Sequence, residues 1–201
     1  MKVFCIGYNK TGTTSLTKFM RLNEFLLAPQ KPFEYNLNSY VYGNSSTFIK
    51  MIKNDYYLYN FFQDVPFSLP NFYKDLDREF ENGKFILTVR NDVDQWYKSL
   101  ISYHKYMFGD LRNPSSISYL YEGWVYQLLT KVYGCPTYDP YNEQILKKSY
   151  IDHIQNVKEY FSNKPNKLLV LNLETDTPKK LESFLDIPLS DESFPHINKS
   201  N

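Results

Sequence analysis

The sequence contains little alanine, cysteine, histidine or glycine. Among 201 residues there is one alanine, Ala28, with two cysteines, three histidines and seven glycines. Two cysteines are too few for a disulfide framework, and neither the cysteines nor the histidines have the spacing of a zinc site. We therefore expect a protein of a reducing compartment, placed in the cytoplasm, that binds no metal.

Long apolar runs and a strong net charge are also missing. No run approaches the roughly 18 apolar residues of a membrane span, and the N-terminus does not resemble a signal peptide. The formal net charge is +1, so the overall surface field offers no support for binding nucleic acid. We expect no membrane span and no nucleic-acid partner, and any anion site must be local.

The residues that are present fit one globular domain covering 1–201. Hydrophobic residues make up 42% of the chain and charged residues 22%, which excludes a disordered chain. Aromatic residues reach 18%, and without a basic stripe beside them we assign them to core packing rather than to base stacking.

Apolar periodicity and turn residues predict strands that alternate with helices. Because that alternation is typical of a parallel sheet, the predicted fold class is α/β. The segment 25–43 is predicted to be an irregular connection. The predicted strands are 2–6, 56–62, 84–89 and 167–173, and the predicted helices are 15–21, 45–54, 71–81, 94–108, 114–133, 145–161 and 178–185.

A loop with the composition of a phosphate site follows the first predicted strand. It runs from Gly7 to Leu16 and opens the first helix. Glycines let the backbone surround an anion, helix N–H groups point at it, and Lys10 supplies a positive charge. A Walker A loop has its lysine directly after the second glycine, whereas here Lys10 precedes Gly12. The loop therefore does not predict an ATPase.

A second anion site is predicted at the end of the strand 84–89. An arginine, Arg90, stands where magnesium-dependent nucleotide enzymes usually carry an acid. Its planar fork suits a phosphate at the ligand-binding edge of an α/β sheet. The alternative is that Arg90 only pairs with Asp92 or Asp94 at the start of the next helix.

These motifs resemble the sulfotransferases that use 3'-phosphoadenosine 5'-phosphosulfate (PAPS). The segment Lys10-Thr11-Gly12-Thr13-Thr14-Ser15-Leu16 is similar to their 5'-phosphosulfate loop, and 85–99 is similar to their 3'-phosphate strand and helix. The resemblance extends over Asp64-Val65-Pro66, the apolar run 168–171, and Phe194-Pro195-His196-x-Asn198 near the end of the chain. It therefore covers almost all of the sequence.

The resemblance implies a three-layer P-loop type α/β fold and transfer of a sulfuryl group to an acceptor hydroxyl or amine. The donor would be PAPS, the product adenosine 3',5'-bisphosphate, and no metal would take part. Lys10 would be catalytic, neutralising the bridging oxygen. The implied donor-binding residues are Asn9, Lys10, Thr11, Gly12, Thr13, Thr14, Ser15, Arg90 and Ser99.

The acceptor must lose a proton, and a carboxylate or histidine usually takes it. We predict that Asp64 is this base, with the alternative that Asp64 only forms a local turn with Val65 and Pro66. Other candidates are His104, Glu34 and Glu122. The acceptor is left open between a carbohydrate, a phenol, another small molecule and a peptide.

The serine that contacts the 3'-phosphate and the function itself each have an alternative at this point. The family places its 3'-phosphate serine eight residues after the arginine, but here that position is Lys98, which leaves Ser99 with Ser102 as the competitor. His153 is predicted to be a core histidine. The alternative functions are a P-loop kinase of nucleotides or small molecules and a nucleotide-binding relative without catalysis.

Overall fold

The structure is a computed structural model that describes residues 1–189 and 193–195. Within these residues a parallel sheet has the strand order β2-β1-β3-β4. Val3 of β1 pairs with Phe61 of β2 and Lys84 of β3, and Phe85 of β3 pairs with Leu168 of β4. The strands are β1 (Val3–Cys5), β2 (Phe61–Phe62), β3 (Lys84–Thr88) and β4 (Leu168–Leu171).

Helices follow and connect the strands. The helices are α1 (Thr13–Leu22), α2 (Gln30–Glu34), α3 (Leu37–Val41), α4 (Ser46–Lys50), α5 (Phe72–Glu79), α6 (Val93–Phe108), α7 (Trp124–Gln127), α8 (Glu143–Phe161) and α9 (Pro178–Leu185). A 3-10 turn covers Pro114–Ser116, and π-helical turns extend α4 over Met51–Asp55 and α7 over Leu128–Val132. In the described part of the chain, no helix combines the length and apolar character needed to cross a membrane.

The alternation of side chains along the strands builds three layers. Phe4 and Phe85 face one side of the sheet, where they pack with α4, α5 and α8. Val3 and Ile86 face the other side, where they pack with α1 and α9. The structure thus confirms the predicted α/β class, a central parallel sheet flanked by helices.

An aromatic cluster covers the carboxyl end of the sheet. The rings of Trp96 in α6 and Tyr150 in α8 stack at 4.5 Å between centroids, with an interplanar angle of 11°. The ring of Tyr8 packs against both. This cluster fixes the start of α6 beside the loop that leaves β1.

A close backbone contact joins that loop to β3. At Gly7 an added Cβ would lie 2.1 Å from Thr88 Oγ1 and 2.4 Å from the Thr88 carbonyl oxygen. The Thr11 hydroxyl donates to the Tyr8 carbonyl at 2.5 Å, so the Thr88 hydroxyl must donate the 2.6 Å bond that joins it to Thr11. The loop after β1 is thereby tied to the last residue of β3.

The predicted strand at 56–62 is too long. Only Phe61–Phe62 pairs as a strand, because the Tyr56 N–H donates to the Met51 carbonyl and completes the preceding π turn. Tyr57 and Leu58 are 62% and 66% exposed and run over the surface. The aromatic run predicted a buried strand, but only its last two residues, Phe61 and Phe62, are buried.

The predicted helix at 114–133 is wrong for its first half. Ser118 and Glu122 form an antiparallel bridge, and Gly123 has a φ of +79°, a left-handed conformation from which α7 begins. The apolar period that suggested a helix arises because Ile117 and Tyr121, on the turn, also pack into the cluster above the sheet.

The segment 25–43 is more regular than predicted, since it contains α2 and α3. Phe33 and Leu37, four residues apart, are both buried. Tertiary packing of these two side chains stabilises helices of five residues that would not form alone.

Gly7→Ala is expected to lower the free energy of unfolding by about 3 kcal/mol, because the new methyl group meets the backbone of Thr88, which a rotamer change cannot move away. Gly43→Ala is the matched control. Gly43 has a φ of +75° but nothing within 4 Å of an added Cβ, so only the left-handed backbone costs about 1 kcal/mol. Urea denaturation measures both variants, and equal losses would contradict the close contact.

Candidate functional site

A cavity of about 350 Å³ lies beyond the carboxyl ends of β1 and β3. Ligands of open α/β sheets bind at this edge, because the loops that follow the strands meet there. It is lined by residues from the loop after β1, the turn after β2, the segment after β3, and α2, α6 and α7. The cavity therefore collects side chains from distant parts of the sequence.

The loop after β1 has the backbone form of an anion site. Lys10 and Gly12 have φ values of 68° and 91°, and α1 begins directly after Gly12. Left-handed residues next to a helix N-terminus turn successive N–H groups towards one point. Of the predicted donor-binding residues, those that line the cavity are Asn9, Lys10, Gly12, Thr13, Thr14, Ser15, Arg90 and Ser99.

Thr11 has a different place from its neighbours in the loop. Its side chain is buried beneath the loop, where it makes the hydrogen bonds to Tyr8 and Thr88. The threonine hydroxyl thus holds the loop in place. The backbone of Thr11 remains part of the loop that the sequence assigned to the donor.

Arg90 stands at the cavity with its main chain fixed and its side chain only weakly paired. Its N–H donates to the Tyr150 hydroxyl at 2.8 Å, and its Nη2 lies 3.7 Å from an oxygen of Glu174. The alternative pairing with the start of α6 is wrong: Asp92 accepts from the Asp94 N–H, and Asp94 pairs with Lys147 at 2.5 Å.

Two buried polar atoms at the donor side have no hydrogen-bond partner among the described residues. They are Arg90 Nε and Asn9 Oδ1. The main-chain carbonyl of Asn9 is used, since it accepts from Trp96 Nε1 at 3.0 Å. The unpaired Arg90 N–H fits an anionic group in the cavity, whereas the Asn9 amide oxygen fits a ligand N–H or O–H.

The two candidate serines, Ser99 and Ser102, lie on different faces of α6. Ser99 lines the cavity, whereas Ser102 is exposed and does not. Trp96 and Leu100 are buried and fix which face of α6 turns inward. The geometry supports Ser99 over Ser102 as the residue beside Arg90.

Lys10 reaches into the cavity over an aromatic face. Its Nζ lies 3.9 Å from the centroid of the Tyr103 ring. Burial, with the nearby charge of Arg90, lowers the pKa of Lys10, and the charge of Asp64 opposes this shift. The cation–π contact with Tyr103 thus holds the Lys10 side chain in place, with the charges of Arg90 and Asp64 nearby.

Asp64 follows β2 with a φ of 58° and lines the same cavity. Burial, and then the charge of Glu34, raise the pKa of Asp64 to about 7, while Lys10 acts in the opposite direction. The turn after it uses the Asp64 main chain, whose carbonyl accepts from the Ser68 N–H at 2.9 Å. Among the described residues, the Asp64 carboxylate accepts no hydrogen bond in this turn, so the purely local role loses its support.

The other candidate bases divide into two that line the cavity and one that does not. His104 is buried, its Nδ1 lies 2.9 Å from the Tyr141 hydroxyl, and burial lowers its pKa to about 4. Glu34 also lines the cavity, whereas Glu122 is exposed outside it. Of Asp64 and His104, Asp64 has the pKa better matched to a base at neutral pH.

His153 lies outside the site. His153 is buried in the core and donates from Nε2 to the Ile6 carbonyl at 2.7 Å, which confirms the predicted core histidine. His196 and Asn198 lie outside the described residues. Among the described residues, no group of three acids, cysteines or histidines is placed to hold a metal ion.

Sequence reasoning missed the aromatic wall of the cavity. Tyr119 and Trp124 line it, as does Phe108 at the end of α6. Trp124 was expected to be a core anchor, but besides packing it donates from Nε1 to the Glu34 carbonyl at 2.9 Å. Tyr119 was missed because its segment was predicted to be a continuous helix and no motif points to a site there.

The comparison with known families agrees with this geometry. A family described as a sulfotransferase domain matches residues 2–201. The chain belongs to this family. Among curated proteins, none is similar enough to the chain to count as a match. The resemblance stated from the sequence is confirmed, and sulfuryl transfer is the general activity of this sulfotransferase domain.

In this sulfotransferase domain, the free-energy difference between wild type and Asp64→Asn is expected to depend on pH. Between about pH 4 and 7 the folded carboxyl keeps a proton that the unfolded one has lost. The stability of wild type relative to the variant should therefore fall as pH rises through this window and stay constant above it.

Urea denaturation from pH 4 to pH 9 measures this difference. His104 and His153, whose pKa values are lowered to about 4, give the opposite slope, but both are present in the two proteins and cancel in the difference. A difference that does not change with pH would show that the pKa of Asp64 is not raised.

Proposed function

We propose that the chain is a PAPS-dependent sulfotransferase that modifies a hydroxyl or amine of an acceptor, and that residues 1–201 form one domain in the cytoplasm. The observation that carries the proposal is the convergence of Lys10, Arg90, Ser99 and Asp64 on one cavity. The first three would bind and neutralise a donor with two anionic groups, and the fourth would serve the acceptor.

The residues present fit the donor. The N–H groups of the loop and the N-terminus of α1 suit the 5'-phosphosulfate, and Arg90 with Ser99 suits the 3'-phosphate. The unpaired Arg90 Nε and Asn9 Oδ1 offer a donor and an acceptor on the same side. Two anion sites are what distinguishes PAPS from a simple nucleoside monophosphate.

The transfer needs a cation beside the donor and a base beside the acceptor. When bound, the donor supplies the sulfuryl group: the acceptor oxygen bonds to sulfur, the bond from sulfur to the bridging phosphate oxygen breaks, and its electron pair stays on that oxygen. Lys10 would donate a hydrogen bond to the oxygen that gains charge. Asp64, when ionised, would accept the acceptor's proton.

Binding of adenosine 3',5'-bisphosphate is the test of the donor site. Calorimetric titration should show tighter binding of the bisphosphate than of AMP, without magnesium. Arg90→Ala should weaken bisphosphate binding by about 1.5 to 3 kcal/mol and leave AMP nearly unchanged, because only the 3'-phosphate loses a charge-assisted contact. An undiminished preference for the bisphosphate in Arg90→Ala would contradict the assignment.

Two serine variants form a matched pair for the same titration. Ser99→Ala should weaken bisphosphate binding, whereas Ser102→Ala, on the exposed face of α6, should not. Preferential binding of magnesium-ATP by wild type would instead support the kinase alternative. Binding of the bisphosphate without any turnover of donor would support a non-catalytic relative.

Lys10→Ala and Asp64→Asn should lower kcat by about 100-fold or more while changing the bisphosphate dissociation constant much less. During transfer, Lys10 would stabilise the negative charge on the bridging oxygen, and Asp64 would accept the proton that the acceptor loses. Sulfate release or transfer from PAPS, measured with phenolic and sugar acceptors, provides the rate. His104→Gln is the comparison: full activity in Asp64→Asn with a large loss in His104→Gln would make His104 the base.

A further inference from the structure

Beyond Asp64, the cavity contains a second acid that the proposed transfer does not use. Glu34, at the end of α2, is 3% exposed and lines the cavity. Its Oε1 accepts from Gln30 Nε2 at 2.5 Å and its Oε2 from the Tyr119 hydroxyl at 3.3 Å. Both partners are neutral, so they hold the carboxyl group in place and do not compensate its charge when it is ionised.

No basic side chain forms an ion pair with this acid. Among the described residues, the ion pairs within 4.0 Å include neither Glu34 nor Asp64. Lys31 lies close enough to lower the pKa of Glu34, but burial outweighs it and raises that pKa. A buried carboxylate without a cation is costly, and a cationic ligand would relieve that cost.

The cavity contains cations and acids that act on one another. The charge of Arg90 lowers the pKa of Lys10, while Glu34 raises and Lys10 lowers the pKa of Asp64. The donor anion would lie beside the cations Lys10 and Arg90. The acceptor would then extend from Asp64 towards Glu34, where the field attracts a positive group.

Aromatic rings surround the Glu34 end. The rings of Tyr119 and Trp124 meet edge to face at 5.2 Å between centroids, and Phe108 packs against Tyr119 at 5.9 Å. All three residues line the cavity. Aromatic faces beside a carboxylate are the surroundings in which proteins bind ammonium groups.

We infer that Glu34 is a specificity-determining residue that selects small acceptors carrying a positively charged amine apart from the hydroxyl that receives the sulfuryl group. The inference rests on the proposed function and narrows its acceptor class. The amine would pair with Glu34 between the aromatic rings, and this contact would place the hydroxyl at Asp64. The donor would share this cavity of about 350 Å³, so the space left for the acceptor suits a small molecule rather than a polymer.

Three phenols of similar size test the charge preference: tyramine is cationic, 4-ethylphenol is neutral and 3-(4-hydroxyphenyl)propionate is anionic. With wild type and PAPS, kcat/KM should be about tenfold or more higher for tyramine than for 4-ethylphenol, and lowest for the anion. In Glu34→Gln the ratio of tyramine to 4-ethylphenol should fall to about one. The ratio cancels any effect of Glu34 on Asp64, because both phenols need the same base.

Glu122→Gln is the matched control, since Glu122 is an exposed acid outside the cavity, and it should keep the wild-type ratio. The three phenols are also titrated into wild type and Glu34→Gln saturated with adenosine 3',5'-bisphosphate, so that the preference is measured even without turnover. Bisphosphate affinity checks that Glu34→Gln is folded.

The outcomes separate the two hypotheses. Turnover of the phenols with no preference for tyramine, or a preference that survives in Glu34→Gln, would overturn the role of Glu34 and leave the sulfotransferase function intact. In the binding arm, equal affinity for tyramine and 4-ethylphenol would overturn it as well. Failure to bind the bisphosphate would instead contradict the proposed function.

Discussion

The contact between Gly7 and Thr88 is the constraint on which the site depends. At this point the backbones of two neighbouring strands approach so closely that a Cβ does not fit, and the hydroxyls of Thr11 and Thr88 extend the contact. The loop that carries Lys10 and the segment after β3 that carries Arg90 therefore leave the sheet side by side. Two cations that are 80 positions apart in the sequence come to share one cavity because of this approach.

Burial in the cavity shifts the pKa values of its basic and acidic side chains in opposite directions. Burial and the charge of Arg90 lower the pKa of Lys10, whose Nζ lies over the Tyr103 ring. Asp64, between Lys10 and Glu34, has a pKa of about 7 and so changes its protonation state near neutral pH. An exposed aspartate would be too weak a base for this purpose. Under the proposed function, the enclosure that would hold the anionic donor also raises the pKa of the acid that would take the acceptor's proton.

The aromatic residues serve two purposes that composition does not distinguish. Most build the core: the Phe4 ring packs against four other phenylalanine rings, and Trp96 stacks on Tyr150. A few face the cavity instead, where Tyr103 holds the Lys10 ammonium and Tyr119 donates to Glu34. The prediction of core packing is therefore correct for the majority and incomplete for the tyrosines of α6 and the 117–123 turn.

The sequence by itself determined the features that depend on short-range pattern. Strand and helix periods predicted the α/β class, and the glycines around Lys10 and the arginine after an apolar strand marked two anion sites. The α/β prediction is confirmed, and the residues that mark the two predicted anion sites, Lys10 and Arg90, line one cavity because loops at the ends of parallel strands open at the same edge of the sheet.

Only the tertiary structure decided which side chains complete the cavity. The rotation of α6, set by the burial of Trp96 and Leu100, turns Ser99 inward and Ser102 outward. Glu34 meets Tyr119, 85 residues later in the chain, because left-handed Gly123 ends the turn before α7 and lets that turn pack across α2. Such contacts arise from packing between elements distant in sequence, which no local pattern records.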